Sequence, residues 1–176
     1  WAVLKPSLFV TVYWFAIAIG VRGGAPIAGV PFIYWLIPGI APWFFMSEAL
    51  TIGGSAIRNN KRLVTKMVYP VSTIPTFTVL ALFLVHVALV AFVCVVFVLT
   101  GFGLSLYALQ LPYYLACSFA LALSLGLLLS TLTVLSRDVE HMIKSTVQVM
   151  FWLTPIIWPI ASLGAWMRRV IIINPL

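Results

Sequence analysis

The sequence predicts an all-α integral membrane protein, with about five transmembrane helices and a short re-entrant or interfacial element. Of its 176 residues, 64% are hydrophobic and 7% are charged, whereas soluble domains average about 45–50% apolar and about 25% charged residues. The apolar residues form continuous runs instead of an alternating pattern, which favours helices over barrel strands. We expect one transmembrane domain over residues 1–176, truncated at both ends, because the chain opens at Trp1 without a start methionine and stops at Leu176.

The first two expected spans cover about residues 6–21 and 31–57. Pro6 suits the first turn of the first helix. The second span carries three prolines in its first half and two adjacent glycines near its end. We expect that first half to be kinked or loosely wound, which is tolerated where protein or water satisfies the freed carbonyls. These residues are Pro31, Pro38, Pro42, Gly53 and Gly54.

The other three expected spans cover about residues 70–100, 112–135 and 145–160. A hydrocarbon core of about 30 Å needs roughly 20 apolar residues, so the run 70–100 exceeds the bilayer and implies tilt or protrusion. Residues 161–173 are too few to cross and are expected to form the re-entrant element. A helix returning to the other side should then follow Pro175.

The basic residues predict the orientation of the chain. Five crossings alternate sides, so the ten Lys and Arg residues can be counted under each orientation. One orientation puts seven of them inside and three outside, and the positive-inside rule favours it. The net charge of +7 then reflects cytoplasmic loops and anionic lipid, without any nucleic-acid partner. The inner residues are Lys5, Arg58, Lys61, Arg62, Lys66, Arg137 and Lys144, and the outer ones are Arg22, Arg168 and Arg169.

The composition favours a transport function over enzymatic catalysis. The sequence has no G-x-x-x-x-G-K-[ST] phosphate loop, and three acidic residues with two histidines offer little material for a catalytic dyad or a metal site. Cys94 and Cys117 lie alone inside apolar runs, so they read as small core residues rather than metal ligands or a disulfide.

The first cytoplasmic loop, residues 57–70, is purely basic and contains two adjacent asparagines. Either asparagine can cap a short helix, on which Leu63, Val64, Met67 and Val68 form an apolar stripe suited to docking on another protein. The alternative is a positive-inside anchor for the lysines. The candidate coupling residues in this loop are Arg58, Asn59, Asn60, Lys61, Arg62 and Lys66.

The second cytoplasmic loop, residues 136–144, has mixed charge. Asp138 could cap the following helix while Arg137 faces lipid phosphates or a partner's carboxylate. The alternative is a simple capping turn at the membrane surface. Glu140 and His141 complete the candidate residues of this loop.

Two ionisable residues are expected near mid-bilayer. Glu48 lies ten residues before Arg58, about 15 Å along a helix, and His86 lies at a similar depth in the third span. A carboxylate at that depth should face the bundle interior or water, so a Glu48 and His86 pair is one candidate. Aromatic residues at membrane depth either pack the bundle or line a path with faces suited to sugar rings, and the candidates are Tyr13, Trp14, Trp43 and Phe44.

Six segments in order resemble a known family, the membrane permease of the ABC type 2 transporters that export polysaccharides and teichoic acids. They span essentially the whole chain. The segments are W-A-V-L-K-P at 1–6, P-W-F-F-M-S-E-A-L at 42–50, R-N-N-K-R-L-V-T-K-M-V-Y-P at 58–70, L-S-R-D-V-E-H at 135–141, P-I-I-W-P at 155–159 and I-N-P at 173–175.

The resemblance implies a multi-pass protein of the bacterial plasma membrane, a homodimer of six-helix subunits that exports a lipid-linked glycan. It also implies a separate cytoplasmic ATPase that holds ATP and Mg²⁺, with residues 58–70 and 137–141 of this chain facing it. An amphipathic helix before Trp1 and a sixth span after Leu176 are expected from it, as is an outward re-entrant region over residues 155–173.

We therefore expect a non-enzymatic permease subunit with no cofactor or metal of its own. One alternative is a small-molecule or drug exporter of the same broad class. Another is a proton-coupled secondary carrier that uses Glu48 and His86, although such carriers often show paired, repeat-related broken helices and no convincing internal repeat is visible here.

Overall fold

The computed structural model describes residues 8, 11, 12, 15, 16, 31–66, 70–101, 103, 105–154 and 156. Within these residues the ordered elements are all helical and none is a strand, which confirms the predicted all-α class. The elements are α1 (Phe32–Glu48), a π-helical segment (Ala49–Gly53, the π segment), α2 (Ala56–Asn59), α3 (Lys61–Lys66), α4 (Thr73–Leu99), a 3₁₀ turn (Leu106–Gln110), α5 (Leu111–Leu135) and α6 (Arg137–Leu153).

Three helical stretches in the described part of the chain are long and apolar enough to cross a membrane. They are Phe32–Gly53 with 22 residues, Thr73–Leu99 with 27 and Leu106–Leu135 with 30. At 1.5 Å per residue, the second is about 40 Å long and exceeds a hydrocarbon core of about 30 Å. The re-entrant element expected over 161–173, and most of the first expected span, lie outside the described residues.

The second expected span is regular where we predicted irregularity. Its α-helix continues through Pro38 and Pro42, so the prediction of a loosely wound first half is wrong, while a kink at these prolines stays a prediction. The irregular winding comes later, in the π segment that follows Glu48. There the Thr51 hydroxyl donates to the Ser47 carbonyl and the Ser55 hydroxyl to the Thr51 carbonyl, both at 2.7 Å, so side chains satisfy backbone groups beside the widened turn.

The chain divides into two compact units, one of residues 1–44 with 150–176 and one of residues 45–149. In the first unit, Trp43 packs against Phe151 with ring centroids 5.4 Å apart. Ile156 lies close to Gly39, where an added Cβ would be 3.4 Å from its Cγ2.

The second unit is built on a close approach of the π segment, α4 and α5. An added Cβ at Gly53 or at Gly126 would lie 3.0 Å from Cγ2 of Val79, which is fully buried. The buried face of α5 consists of small residues, and small residues let membrane helices approach closely where no hydrophobic force drives them together. These residues are Ala122, Gly126, Ser130 and Thr133.

A buried hydrogen bond closes the end of the π segment. The Thr133 hydroxyl donates to the Gly54 carbonyl at 2.6 Å. A Cβ at Gly54 would collide with the Leu50 carbonyl oxygen, so this turn favours glycine. The bond satisfies a carbonyl that would otherwise be unpaired at the end of the segment, and it holds the chain after the second span beside the C-terminal end of α5.

The helix that carries the fifth expected span begins earlier than residue 145. It starts at Arg137 and ends at Leu153, and its first half is polar. One residue, Ser136, separates it from α5. The second cytoplasmic loop is therefore the first part of a helix rather than an extended connection.

We predict that Gly126→Val destabilises the protein, because the added methyl groups would collide with Val79 at the closest helix contact. Overpacking of this kind costs about 1–3 kcal/mol. The measurement is the thermal unfolding temperature of the purified complete protein in detergent. Ala120→Val adds bulk to an exposed position of the same helix and should leave that temperature nearly unchanged; equal effects of the two substitutions would contradict the packing.

Candidate functional site

The asparagine pair forms the turn between α2 and α3. The Asn60 carbonyl accepts the Leu63 N–H at 2.9 Å, as an N-cap residue's carbonyl does. Its side-chain amide, however, donates backwards to the Ala56 carbonyl at 2.9 Å, and the Asn59 amide donates to the Ser55 hydroxyl at 3.2 Å. The amide nitrogens of both asparagines thus close the end of α2, and Asn60 stands directly before α3. Capping of α3 by an asparagine side-chain oxygen stays a prediction.

The side chains of α3 lie on two faces. Lys61, Arg62 and Leu63 are exposed, while Val64 is half-buried. The predicted apolar stripe is thus present at Leu63 and partly covered at Val64. Met67, Val68 and the side chain of Lys66 lie outside the described residues.

Ser136 is both the end of α5 and the cap of α6. Its backbone is extended, with φ −141° and ψ 137°, and its hydroxyl accepts the Asp138 N–H at 3.2 Å. The prediction that Asp138 caps the helix is wrong, because the helix already begins at Arg137 and Ser136, two residues before Asp138, is the capping residue. Asp138 lies in the first turn of α6, where its negative charge interacts favourably with the positive end of the helix dipole.

An ion-pair cluster joins the two predicted loops. Nη2 of Arg58 lies 2.5 Å from Oε2 of Glu140, and Nζ of Lys144 lies 2.6 Å from Oε1. The Glu140 side chain is 14% exposed and that of Arg58 is 33% exposed. The sequence identified both loops, and the structure brings these two members of them together.

The surroundings of Glu140 stabilise its ionised form. The hydrogen bond from Lys144 lowers the pKa of this carboxyl group, and the charges of Arg58, Lys144 and His141 lower it further, against the opposing effect of burial. A lowered carboxyl pKa contributes stability above its ordinary value, and that contribution is lost as pH falls through the folded-state value. Glu140 is therefore ionised at neutral pH.

A cleft of about 690 Å³ lies beside this cluster, between the α2–α3 turn and the α5–α6 junction. None of the residues described as lining it is acidic. Its wall carries three cations, Arg58, Lys61 and Arg137, two hydroxyls, Thr65 and Thr133, and four aliphatic side chains, Ile57, Val64, Val134 and Leu135. A shallower groove of about 480 Å³ runs along α3, where Arg62 and Leu63 are among its lining residues.

The membrane-depth candidates are packed in an aromatic environment. His86 is buried at the middle of α4, and its ring stacks on Phe45 with centroids 4.8 Å apart and planes 7° apart. Its Nδ1 has no hydrogen-bond partner within the described residues. Glu48 follows Phe45 by three residues on α1, so both lie on similar faces. The Glu48 and His86 pair stays a prediction.

The other aromatic candidates divide into described and undescribed residues. Trp43 packs against Phe151, and Phe44 is buried. These positions fit bundle packing, and a role for either in a transport path stays a prediction. Tyr13 and Trp14 lie outside the described residues.

Three residues that organise the site were not among the candidate site residues predicted from the sequence. Ser136 is of the type preferred at helix N-caps, and Lys144 stands four residues after Glu140, the spacing of helical ion pairs. Both signals were readable. Thr133 gave no such signal, because its bond to Gly54 depends on how two distant segments pack.

Comparison with known proteins gives consistent matches over the whole chain. The family described as ABC-2 type transporter matches residues 1–176. The O-antigen export system permease protein RfbA of Myxococcus xanthus is 24% identical over 163 residues, covering 93% of this chain and 61% of that protein. Two proteins of the same name from Klebsiella pneumoniae are each 25% identical, covering 100% of this chain and 67% of their own length. The chain thus spans about two thirds of the length of these relatives.

We predict that Arg58 and Glu140 stabilise the protein as a pair. Arg58→Gln and Glu140→Gln should each lower the thermal unfolding temperature at pH 7, and the double variant should lose less than the sum, with a coupling of about 1 kcal/mol for a partly exposed pair. Arg62→Gln is the control, because it removes an exposed cation of α3 that is not a member of the ion-pair cluster. Strict additivity of the two changes would contradict the pairing.

The same pair predicts a pH dependence. Because the pKa of Glu140 is lowered in the folded protein, the stability difference between wild type and Glu140→Gln should be largest near neutral pH. It should shrink as pH falls below the ordinary carboxyl pKa and through the lowered folded-state pKa, where the carboxyl group protonates. Thermal unfolding at several pH values measures it; a difference that grows on acidification would reverse the assigned sign.

Proposed function

Because this chain belongs to the ABC-2 type transporter family, we propose that it is the membrane permease subunit of an ATP-driven exporter of lipid-linked polysaccharide. It is a multi-pass protein of the bacterial inner membrane. In this proposal the chain forms the transport pathway and catalyses no reaction, and a separate subunit hydrolyses ATP.

The substrate class is supported by the relatives. All three that we compared are named O-antigen export system permeases, and each match covers nearly all of this chain. A polysaccharide carried on a lipid is therefore our first choice of cargo. Teichoic acid, the other cargo suggested by the sequence resemblance, comes second because none of these names mentions it.

The ion pair between Arg58 and Glu140 is the observation that carries the proposed coupling. It joins α2, which follows the second span, to α6, which follows α5. A partner that displaces one loop would therefore displace the other. We assign this surface to a cytoplasmic ATPase that binds ATP and Mg²⁺, with the exposed Arg62 and Leu63 of α3 and the exposed Asp138 and His141 of α6 as its contacts.

A second copy of the chain completes the proposed transporter. The outer faces of α4 and α5 expose many large apolar side chains, and such faces suit lipid or another helix bundle. We assign the glycan path to the interface between two permeases. Examples of these exposed residues are Phe77, Leu84, Phe92, Leu128 and Leu132.

The proposal is tested by coexpressing the complete protein with the ATPase encoded beside it. We expect the two to copurify, and ATP turnover to rise when the lipid-linked glycan is added to the reconstituted complex. Absence of both association and stimulation would refute the proposed function. Stimulation by small hydrophobic drugs in place of the glycan would support the drug-exporter alternative instead.

We predict that Leu63→Asp weakens copurification of the ATPase, because it puts a charge on an exposed apolar position of α3. Charged groups in the core of an interface cost binding energy unless paired, so a loss of at least about tenfold in affinity is expected. Leu63→Met preserves apolar character and should bind normally. Normal binding by Leu63→Asp in a correctly inserted protein would remove α3 from the interface.

A further inference from the structure

The short helix α3 borders both the larger cleft and the shallower groove, and Lys61 and Thr65 line both of them. Lys61, Val64 and Thr65 line the larger cleft, whereas Arg62 and Leu63 do not. The ATPase contacts proposed above use Arg62 and Leu63. Those two contacts therefore leave the larger cleft uncovered.

The charge of the cleft favours an anion. Arg58, Lys61 and Arg137 share its wall, and the described lining includes no carboxylate. Glu140 compensates only part of this charge, because it is also paired with Lys144.

The remaining wall is hydrocarbon. Val134 and Leu135 form the cytoplasmic end of α5 and are 54% and 80% exposed, while Ile57 and Val64 line the opposite side. The cleft thus opens where the span Leu106–Leu135 leaves the membrane. With a volume of about 690 Å³, it holds far more than a water molecule of about 30 Å³. A ligand with an anionic head and an apolar body matches both kinds of wall.

We propose that this cleft binds an anionic phospholipid of the cytoplasmic leaflet, with its phosphate between Arg58, Lys61 and Arg137 and its acyl chains along Val134 and Leu135. Basic residues on the cytoplasmic side of a membrane attract anionic headgroups, and arginine is suited to bind phosphate through two parallel hydrogen bonds. The lipid would lie between the two coupling loops. This inference does not depend on the identity of the exported cargo.

The test compares adjacent cations by native mass spectrometry of the complete, delipidated protein titrated with phosphatidylglycerol or with phosphatidylcholine. We expect phosphatidylglycerol to bind more tightly, and Lys61→Gln and Arg137→Gln each to weaken it about fivefold, the effect of one basic residue near an anionic headgroup. Arg62→Gln removes the neighbouring charge, which is outside the cleft wall, and should leave binding unchanged. Lys61, Arg62 and Arg137 are all exposed, and size-exclusion profiles verify that each variant is folded.

Three results would overturn the proposal. An equal loss with Arg62→Gln would show diffuse attraction to the whole basic loop. Displacement of the bound lipid by inorganic phosphate alone would show a site for a free anion, without an apolar contribution. Loss of ATPase copurification by Lys61→Gln and Arg137→Gln, with lipid binding intact, would assign the cleft to carboxylates of the partner protein.

Discussion

The close approach of the π segment to α5 is the constraint on which the rest of the second unit depends. Helices surrounded by lipid gain nothing from burying apolar surface, so contact requires small residues and satisfied backbone groups. Gly53 and Gly126 provide the space around Val79, and Thr133 binds the carbonyl released at Gly54. That bond places the start of α2 beside the end of α5. Arg58 can then reach Glu140 on the next helix, and the basic cleft forms between the two segments.

Only some of the features that arrange the two coupling loops can be predicted from the sequence. Composition and charge spacing predicted the helical class, three of the expected spans and the position of both loops. They could not predict the pairing of Arg58 with Glu140, because sequence gives depth along a helix and not the direction of a side chain around it. The π segment was missed for a related reason. The prolines predicted irregular winding in the first half of the span, whereas the π segment follows Glu48, where the hydroxyls of Thr51 and Ser55 bond to backbone carbonyls.

The error at the start of α6 has a local cause. Asp138 was expected to cap this helix, but the helix begins one residue earlier, at Arg137, and the Ser136 hydroxyl accepts the Asp138 N–H. Capping propensity ranks residue types, but the chain's local path decides which of two suitable neighbours makes the bond.

The one-residue connection at Ser136 also constrains how related proteins can vary in length. Each residue of an α-helix turns it by about 100°, so a single insertion between Ser136 and Glu140 would carry the carboxylate about a quarter turn away from Arg58. An ordinary surface loop absorbs an insertion, whereas this junction has no spare residue to do so. Among relatives, gaps should therefore be rare between the Thr133 and Glu140 positions and more frequent around Gly101 and Gly103, where positive φ angles form an exposed turn.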